Sequence, residues 1–297
     1  MNKRKIVDAH HHLWELSRGH KYPWLQDNPS VEGMLGRLAP IAQDYGVSDY
    51  RADCAAYDLV KSVHIEAVPA DAIAETSWLQ RSAEGSGLPD AIVARVELHR
   101  PDAEKIMAEH CGHPNVRGIR HIANWHQNPR LSFTDHDYLI DPAWLAGFKL
   151  LRKYELSFDL QIYPSQMNAA AALAARNPDT LIILNHAGMP IDRDEAGLAT
   201  WRDGMKRLAA EPNVVAKISG LGMVDHRWSE ATIRPFVLGA IDHFGVDRVM
   251  FGSNFPVDKL YSSFDALFGA FENIVASFSE GEKGKLFHDN ALRAYRI

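Results

Sequence analysis

The chain has 297 residues, of which 46% are hydrophobic and 24% are charged, a composition that indicates a folded globular protein and excludes a disordered one. The formal net charge is -6, and no basic cluster gives the footprint of a nucleic-acid-binding protein. No apolar stretch approaches the roughly 20 residues that a membrane-spanning helix needs.

The N-terminal segment and the cysteines bear on where the protein works. MNKRK is basic, but histidines soon interrupt the apolar run that follows, so we expect no secretory signal. Cys54 and Cys111 could form one bridge, but without a secretion signal two buried, reduced thiols fit better. We therefore expect a cytoplasmic protein with no nucleic-acid or membrane partner, which could form a homo-oligomer.

Short apolar runs recur along the chain, bounded by turn residues or helix caps. Runs of this kind predict strands that are buried on both faces, as in a parallel sheet. The predicted strands are Lys5–His10, Lys61–Ala67, Ala91–Val96, Val116–His121, Ser157–Ile162, Thr180–Asn185, Asn213–Ser219 and Arg248–Gly252.

Helix-like stretches follow every predicted strand but the first at short range. Eight repeats of strand and helix predict an α/β fold, a distorted (β/α)8 TIM-type barrel that forms one domain over residues 1–297. An open doubly wound sheet is the main alternative, but no G-x-G-x-x-G turn occurs. Loop insertions follow strand 1 (Trp14–Tyr50) and strand 4 (Ile122–Asp141). The predicted helices include Asp71–Glu84, Asp102–His110, Asp141–Tyr154, Gln166–Arg176, Leu198–Ala210 and Ser229–Phe244.

The first predicted strand ends in three consecutive histidines, IVDAHHHLW. Side chains two apart on a strand point the same way, so His10 and His12 face the barrel interior together and His11 faces outward. Two imidazoles side by side suit a metal ion or an anionic oxygen. Two buried, hydrogen-bonded core histidines are the alternative.

Polar residues also end other predicted strands, where a barrel builds its active site. His186 follows the sixth strand, His121 ends the fourth and Gln161 closes the fifth. His64 and Glu66 alternate with apolar residues on the second. Their recurrence at several strand ends predicts a polar mouth rather than isolated structural hydrogen bonds.

Cationic and amide residues complete this mouth. Arg117 and Arg120 should face opposite sides of the fourth strand. Arg120 lies nearer the end of that strand and could bind a carboxylate or hydroxyl oxygen. Lys217 precedes a glycine-rich turn, could also face inward and could help Arg120 to hold a substrate carboxylate or hydroxyl. In RVMFGSNFPVD, Asn254 stands where an acid would partner the histidines, and Asp258 follows after a proline.

These segments together resemble the amidohydrolase superfamily. The resemblance is closest to the amidohydrolase-related group that holds sugar lactonases and pyrone-dicarboxylate lactonases. It implies the distorted barrel and hydrolysis of an ester or amide carbon, with lactones common in this branch. The segments that carry it are DAHHHLW, YPWL, VRGIRH, ILNHAGMP, VVAKISGLG, FGSNFPVD and DNALRAYRI.

The resemblance also implies roles for single residues. His10 and His12 match a first-strand pair that binds a divalent ion in metal-bearing members, and His186 matches a histidine that binds metal or polarises the substrate carbonyl. Asn254 falls where an aspartate normally takes the proton from the attacking water, and an amide cannot do this. Gln161 replaces a frequent histidine or lysine. We expect one ion of the Zn²⁺ type at most, or none, and no organic cofactor.

Three functions follow as hypotheses. In a lactonase, the carbonyl of a sugar-acid or dicarboxylate lactone lies against the histidines, and Asp258, His121 or a metal-bound hydroxide activates water. A decarboxylase on the same barrel and a sugar-acid-binding protein with impaired catalysis are the alternatives. Trp14, Trp24 and Trp125 could form an apolar lid or belong to the core.

Overall fold

Eight parallel strands form one sheet whose neighbours follow chain order, as the (β/α)8 prediction requires. The computed structural model describes residues 3–297. Every strand end lies within three residues of its predicted position. They are β1 Lys5–His11, β2 Asp58–Ile65, β3 Ala91–Arg95, β4 Val116–Arg120, β5 Ser157–Leu160, β6 Ile182–Leu184, β7 Val214–Ile218 and β8 Val249–Phe251.

The sheet closes where the chain beyond β8 meets β1. The backbone N–H of Asn254 donates to the carbonyl of His10 over 2.7 Å. The buried carboxylate of Asp8 accepts from the backbone N–H of Ser253 (2.8 Å) and from its hydroxyl (2.6 Å). These bonds hold the ends of the first and last strands together, beside the residues predicted to act.

Helices surround the barrel, and α3 to α10 pack between successive strands or after the last. The predicted helix Asp141–Tyr154 is wrong as one element, because the chain forms two helices that meet at Lys149. The helices are α1 Pro23–Gln26, α2 Val47–Asp53, α3 Ala72–Ser86, α4 Ala103–His110, α5 Pro142–Phe148, α6 Leu150–Lys153, α7 Met167–Arg176, α8 Glu195–Ala209, α9 Glu230–Phe244, α10 Phe264–Ile274, α11 Glu280–Gly284 and α12 Asn290–Tyr295.

The C-terminal helix α12 closes the amino end of the barrel. Ala291, Ala294 and Tyr295 pack against the apolar residues of the barrel interior, among them Val7 and Ile65. The opposite end is therefore the open one. In the described part of the chain, no helix is both long and apolar enough to cross a bilayer.

The insertion after β1 folds back over the open end. The backbone of Trp14 pairs with that of Tyr45, and Trp14 is fully buried. Trp24 donates its indole N–H to the carbonyl of Ala67 over 2.7 Å. Of the three tryptophans considered for a lid, Trp24 lines the open end, Trp14 belongs to the core and Trp125 lies outside the cavity.

Both cysteines are free thiols, which agrees with the expectation of no bridge. Cys54 is buried as predicted, but Cys111 is exposed. It is the residue directly after α4.

Candidate active site

The carboxyl ends of the strands surround a cavity of about 580 Å³. This is the end at which barrel enzymes build their sites. The predicted site residues that line the cavity are His12, Arg120, His121, Gln161, His186 and Asn254. Those that are buried without lining it are His10, His64, Glu66, Lys217 and Asp258.

His12 presents a lone pair to the cavity. Its Nδ1 lies 2.7 Å from the carbonyl oxygen of Ile65, and because a carbonyl only accepts, Nδ1 must carry the proton. Its Nε2 is therefore an unprotonated acceptor. Burial, with a further contribution from the Arg120 cation, lowers the pKa of His12 to about 3. At neutral pH His12 is a neutral imidazole with a fixed tautomer.

Asn254 links His12 to a buried carboxyl. Its Oδ1 lies 3.3 Å from Nε2 of His12, and its Nδ2 donates to Oδ1 of Asp258 over 3.0 Å. Oδ1 of Asn254 and Nε2 of His12 are both acceptors while His12 is neutral. A hydrogen bond between them therefore forms once Nε2 gains a proton. Asp258 lies behind Asn254, out of reach of a ligand in the cavity, and burial raises its pKa to about 7.

His186 and Asn254 both have left-handed backbones, with φ of 56° and 57°. Residues other than glycine rarely adopt this backbone conformation, and such backbone strain clusters at functional sites. It follows in each case from a sharp turn directly after a strand. Ser219 places its hydroxyl 2.9 Å from Nδ1 of His186, which leaves Nε2 for the cavity. Burial, followed by the charges of Arg120 and Lys217, lowers the pKa of His186.

Lys217 lies beneath the cavity rather than in its wall, which differs from its predicted role in binding substrate. Its ammonium donates to Asp159 over 2.6 Å and lies 3.5 Å from Nδ1 of His10. Tyr295 of the C-terminal helix donates its hydroxyl to the same carboxylate oxygen over 2.9 Å. This buried cluster supports His10, whose ring centroid is 4.6 Å from that of His186.

Arg120 lines the cavity but is held in an ion pair. Its Nε donates to Glu66 over 2.6 Å, Nη2 donates to the Glu66 carbonyl, and Nη1 donates to Gln161 over 3.0 Å. Two of its five N–H groups remain for a ligand. Glu66 and Gln161 thus position Arg120, and the Glu66 carboxylate compensates its charge. Gln161 in turn donates to Asn124 over 2.9 Å.

His121 is a hydrogen-bond donor in this arrangement. Trp144 donates its indole N–H to Nδ1 of His121 over 2.9 Å, and the backbone N–H of Leu98 approaches the same nitrogen at 3.3 Å. An indole only donates, so Nε2 carries the proton. Burial lowers the pKa of His121 to about 4. Its lone pair is occupied, which removes His121 from the candidates for activating water.

His64 is a residue of β2, and it does not line the cavity. Its Nε2 is 3.4 Å from the carbonyl of Leu13, and its ring contacts that of His11 edge-on. A further wall of the cavity lies at the end of β3 and was not among the residues predicted from the sequence. The alternation of polar residues in RVELH was the available signal. This wall consists of Arg95, Glu97 and His99, with Tyr138 stacked on His99.

The charges that line the cavity cancel. Arg95 and Arg120 supply two positive charges, and Glu97 and Asp135 supply two negative charges. Arg95 is paired with Glu97 at 3.0 Å, as Arg120 is with the buried Glu66. The cavity therefore offers hydrogen-bonding groups without an uncompensated cation.

Residues 7–297 match the sequence model of the family described as Amidohydrolase. The chain belongs to this family. A relative from Sinorhizobium fredii, the uncharacterized protein y4mH, is 43% identical over 100% of both chains. L-fucono-1,5-lactonase of Burkholderia ambifaria is 28% identical over 98% of this chain and 95% of the lactonase. This amidohydrolase is accordingly a hydrolase, as its resemblance implied.

A solved amidohydrolase from Burkholderia multivorans with bound zinc is 27% identical, with a TM-score of 0.82 over 98% of this chain and 99% of that one. The present residues fit such an ion poorly. Within residues 3–297, no group of three or more His, Cys, Asp or Glu side chains is arranged to hold a metal ion. The Lys217 ammonium beside His10 and the amide of Asn254 both weaken the donor set. The three-histidine ligand set, His10, His12 and His186, stays a prediction.

Proposed function

We propose that this amidohydrolase opens a neutral sugar lactone by hydrolysis, with His12 as the general base. The observation that carries the proposal is the fixed, unprotonated Nε2 of His12 in a cavity beside Arg120 and His186. A general base is typically responsible for about 10²–10⁴ in rate and is most effective when its pKa lies near the operating pH, so the low pKa of His12 places its contribution at the lower end of this range. The lactonases among the relatives support the same reaction class.

The residues suggest a sequence of proton transfers. Water attacks the lactone carbonyl carbon while Nε2 of His12 takes one of its protons. The new imidazolium donates to Oδ1 of Asn254, whose amide is oriented by Asp258. In this role an asparagine suffices at position 254, because it accepts a hydrogen bond and not a proton.

The oxyanion that forms needs donors in place before the reaction. The two uncommitted N–H groups of Arg120 and Nε2 of His186 line the cavity near His12 and suit this task. When the oxyanion collapses, the bond between the carbonyl carbon and the ring oxygen breaks. The ring oxygen then takes the proton from His12, which gives the open hydroxy acid and restores the neutral imidazole.

The balance of charge favours a neutral lactone over a dicarboxylate. An anionic substrate would be repelled by the carboxylates of Glu97 and Asp135. The two arginines would offset this repulsion only in part, because Arg95 and Arg120 are already paired with carboxylates. The same balance disfavours decarboxylation, whose substrate must carry a carboxylate. The binding-only hypothesis predicts no turnover at all.

The test is to compare lactone hydrolysis by the wild type with that by His12→Ala and His186→Ala. We expect kcat to fall by about 10²-fold or more for His12→Ala and by well over tenfold for His186→Ala. His110→Ala is the matched control, since it removes an equally buried imidazole at the end of α4, outside the cavity and away from His12. Wild-type kcat in His12→Ala, or equal losses in all three variants, would reject His12 as the base.

A further inference from the structure

A second groove adjoins the active-site cavity. This groove has a volume of about 470 Å³ and lies among the segments that follow β1, β2 and β3. Trp24, Val68, Arg95 and Glu97 line both the cavity and the groove. These four side chains therefore form the boundary between the two spaces, over which a ligand in the cavity would extend into the groove.

The groove has an apolar floor. It includes Pro23, Trp24 and Ile106. The indole of Trp24 is fixed by its hydrogen bond to the carbonyl of Ala67. An indole held in this way offers a rigid, flat apolar surface at a low entropic cost.

The rim of the groove is charged but balanced. Arg100 pairs with Asp102 at 2.9 Å and approaches Glu97 at 3.8 Å, and Glu97 also pairs with Arg95 at 3.0 Å. Two cations and two anions leave no net charge to attract a phosphate or a carboxylate. Guanidinium and carboxylate groups are multiple donors and acceptors, respectively, and they suit neighbouring hydroxyls.

We propose that the groove is a subsite for a second, neutral sugar unit attached to the lactone ring. The rigid indole and the apolar floor match the apolar C–H face of a pyranose ring. The balanced polar rim matches its hydroxyl edge. The substrate class is then the lactone of a glycosylated aldonic acid. This inference rests on the proposed lactone hydrolysis for its reacting end, but the groove can be tested separately.

Ala70 allows the groove to be filled without touching the cavity. Its side chain is exposed, and it lines the groove but not the cavity. Ala70→Trp should occupy the space of the second sugar. Ala199→Trp is the matched control, because Ala199 is exposed on α8, away from both.

The experiment measures kcat/KM for glucono-1,5-lactone and for cellobionolactone. We expect the wild type and Ala199→Trp to prefer the disaccharide lactone by about tenfold or more, and Ala70→Trp to lose that preference. Turnover of both lactones at equal kcat/KM by the wild type would overturn the subsite and leave the hydrolytic function intact.

Calorimetric titration with the unreactive alcohols glucitol and cellobiitol separates the remaining cases. Should neither lactone react, tighter binding of cellobiitol by the wild type but not by Ala70→Trp would uphold the subsite and reject the hydrolytic function. No turnover together with equal or absent binding of the two alcohols would overturn both.

Discussion

Asp258 allows a quantitative test of the arrangement behind His12. Burial raises its pKa from 3.8 to about 7, so the folded protein holds a proton that the unfolded chain has lost. The stabilisation that this proton gives is complete below the Asp258 pKa of the unfolded chain. It is lost as the pH rises through the Asp258 pKa of the folded protein. A shift of about three units, at about 1.4 kcal/mol each, costs about 4 kcal/mol above pH 7.

Asp258→Asn removes this penalty while keeping an acceptor for Nδ2 of Asn254. The asparagine cannot ionise, so its benefit grows with pH. We expect the difference in unfolding free energy between variant and wild type to be about 3 kcal/mol larger at pH 8 than at pH 5. Urea unfolding at both pH values measures it. Asp203→Asn, at an exposed position, controls for the change in net charge.

The same substitution should slow catalysis. Asp258→Asn keeps the acceptor that orients Asn254 but removes the negative charge that stabilises the protonated His12 through Asn254. It should therefore lower kcat and remove from the pH–rate profile the acid limb that the wild type shows near pH 7. A difference in stability that is equal at pH 5 and pH 8 would refute the raised pKa. An unchanged pH–rate profile would refute the role of Asp258 behind His12.

Three further outcomes follow from other parts of the molecule. Gly147→Ala should destabilise the fold by about 1–3 kcal/mol in urea unfolding, because its methyl group would overlap the carbonyl oxygen of Leu98. Gly269→Ala, in open space on α10, should instead be neutral or stabilising by up to about 1 kcal/mol. Tyr295→Phe should cost about 2 kcal/mol of unfolding free energy, since Asp159 loses a donor, and unchanged stability would contradict this. Hydrolysis should persist after exhaustive chelation, and a loss of activity that zinc restores would show that the donor set does hold an ion.

The barrel was predictable because its signals are local. Short apolar runs such as TLIILN allow few interpretations other than a buried strand, and Asp141 followed by proline marks a helix start. The break between α5 and α6 was not predictable, because no proline or glycine stands at Lys149. There the course of the chain is decided by packing against neighbouring elements.

The candidate site was predictable in its residues but not in their protonation or partners. Strand parity indicated His12 and the family resemblance indicated Asn254, but the tautomer of His121 depends on Trp144, which lies in another element. The ion pair of Lys217 joins β7 to β5, and the partner of Arg120 lies just beyond β2. Contacts of this kind across the barrel leave no mark in a single sequence.

The most direct test of the central claim is the release of protons by wild-type enzyme supplied with a neutral sugar lactone or with a pyrone dicarboxylate. We predict rapid turnover of the neutral lactone, little of the dicarboxylate, and a loss of about 10²-fold or more in His12→Ala. Preference for the dicarboxylate, or turnover that does not depend on His12, would contradict a neutral cavity with His12 as its base.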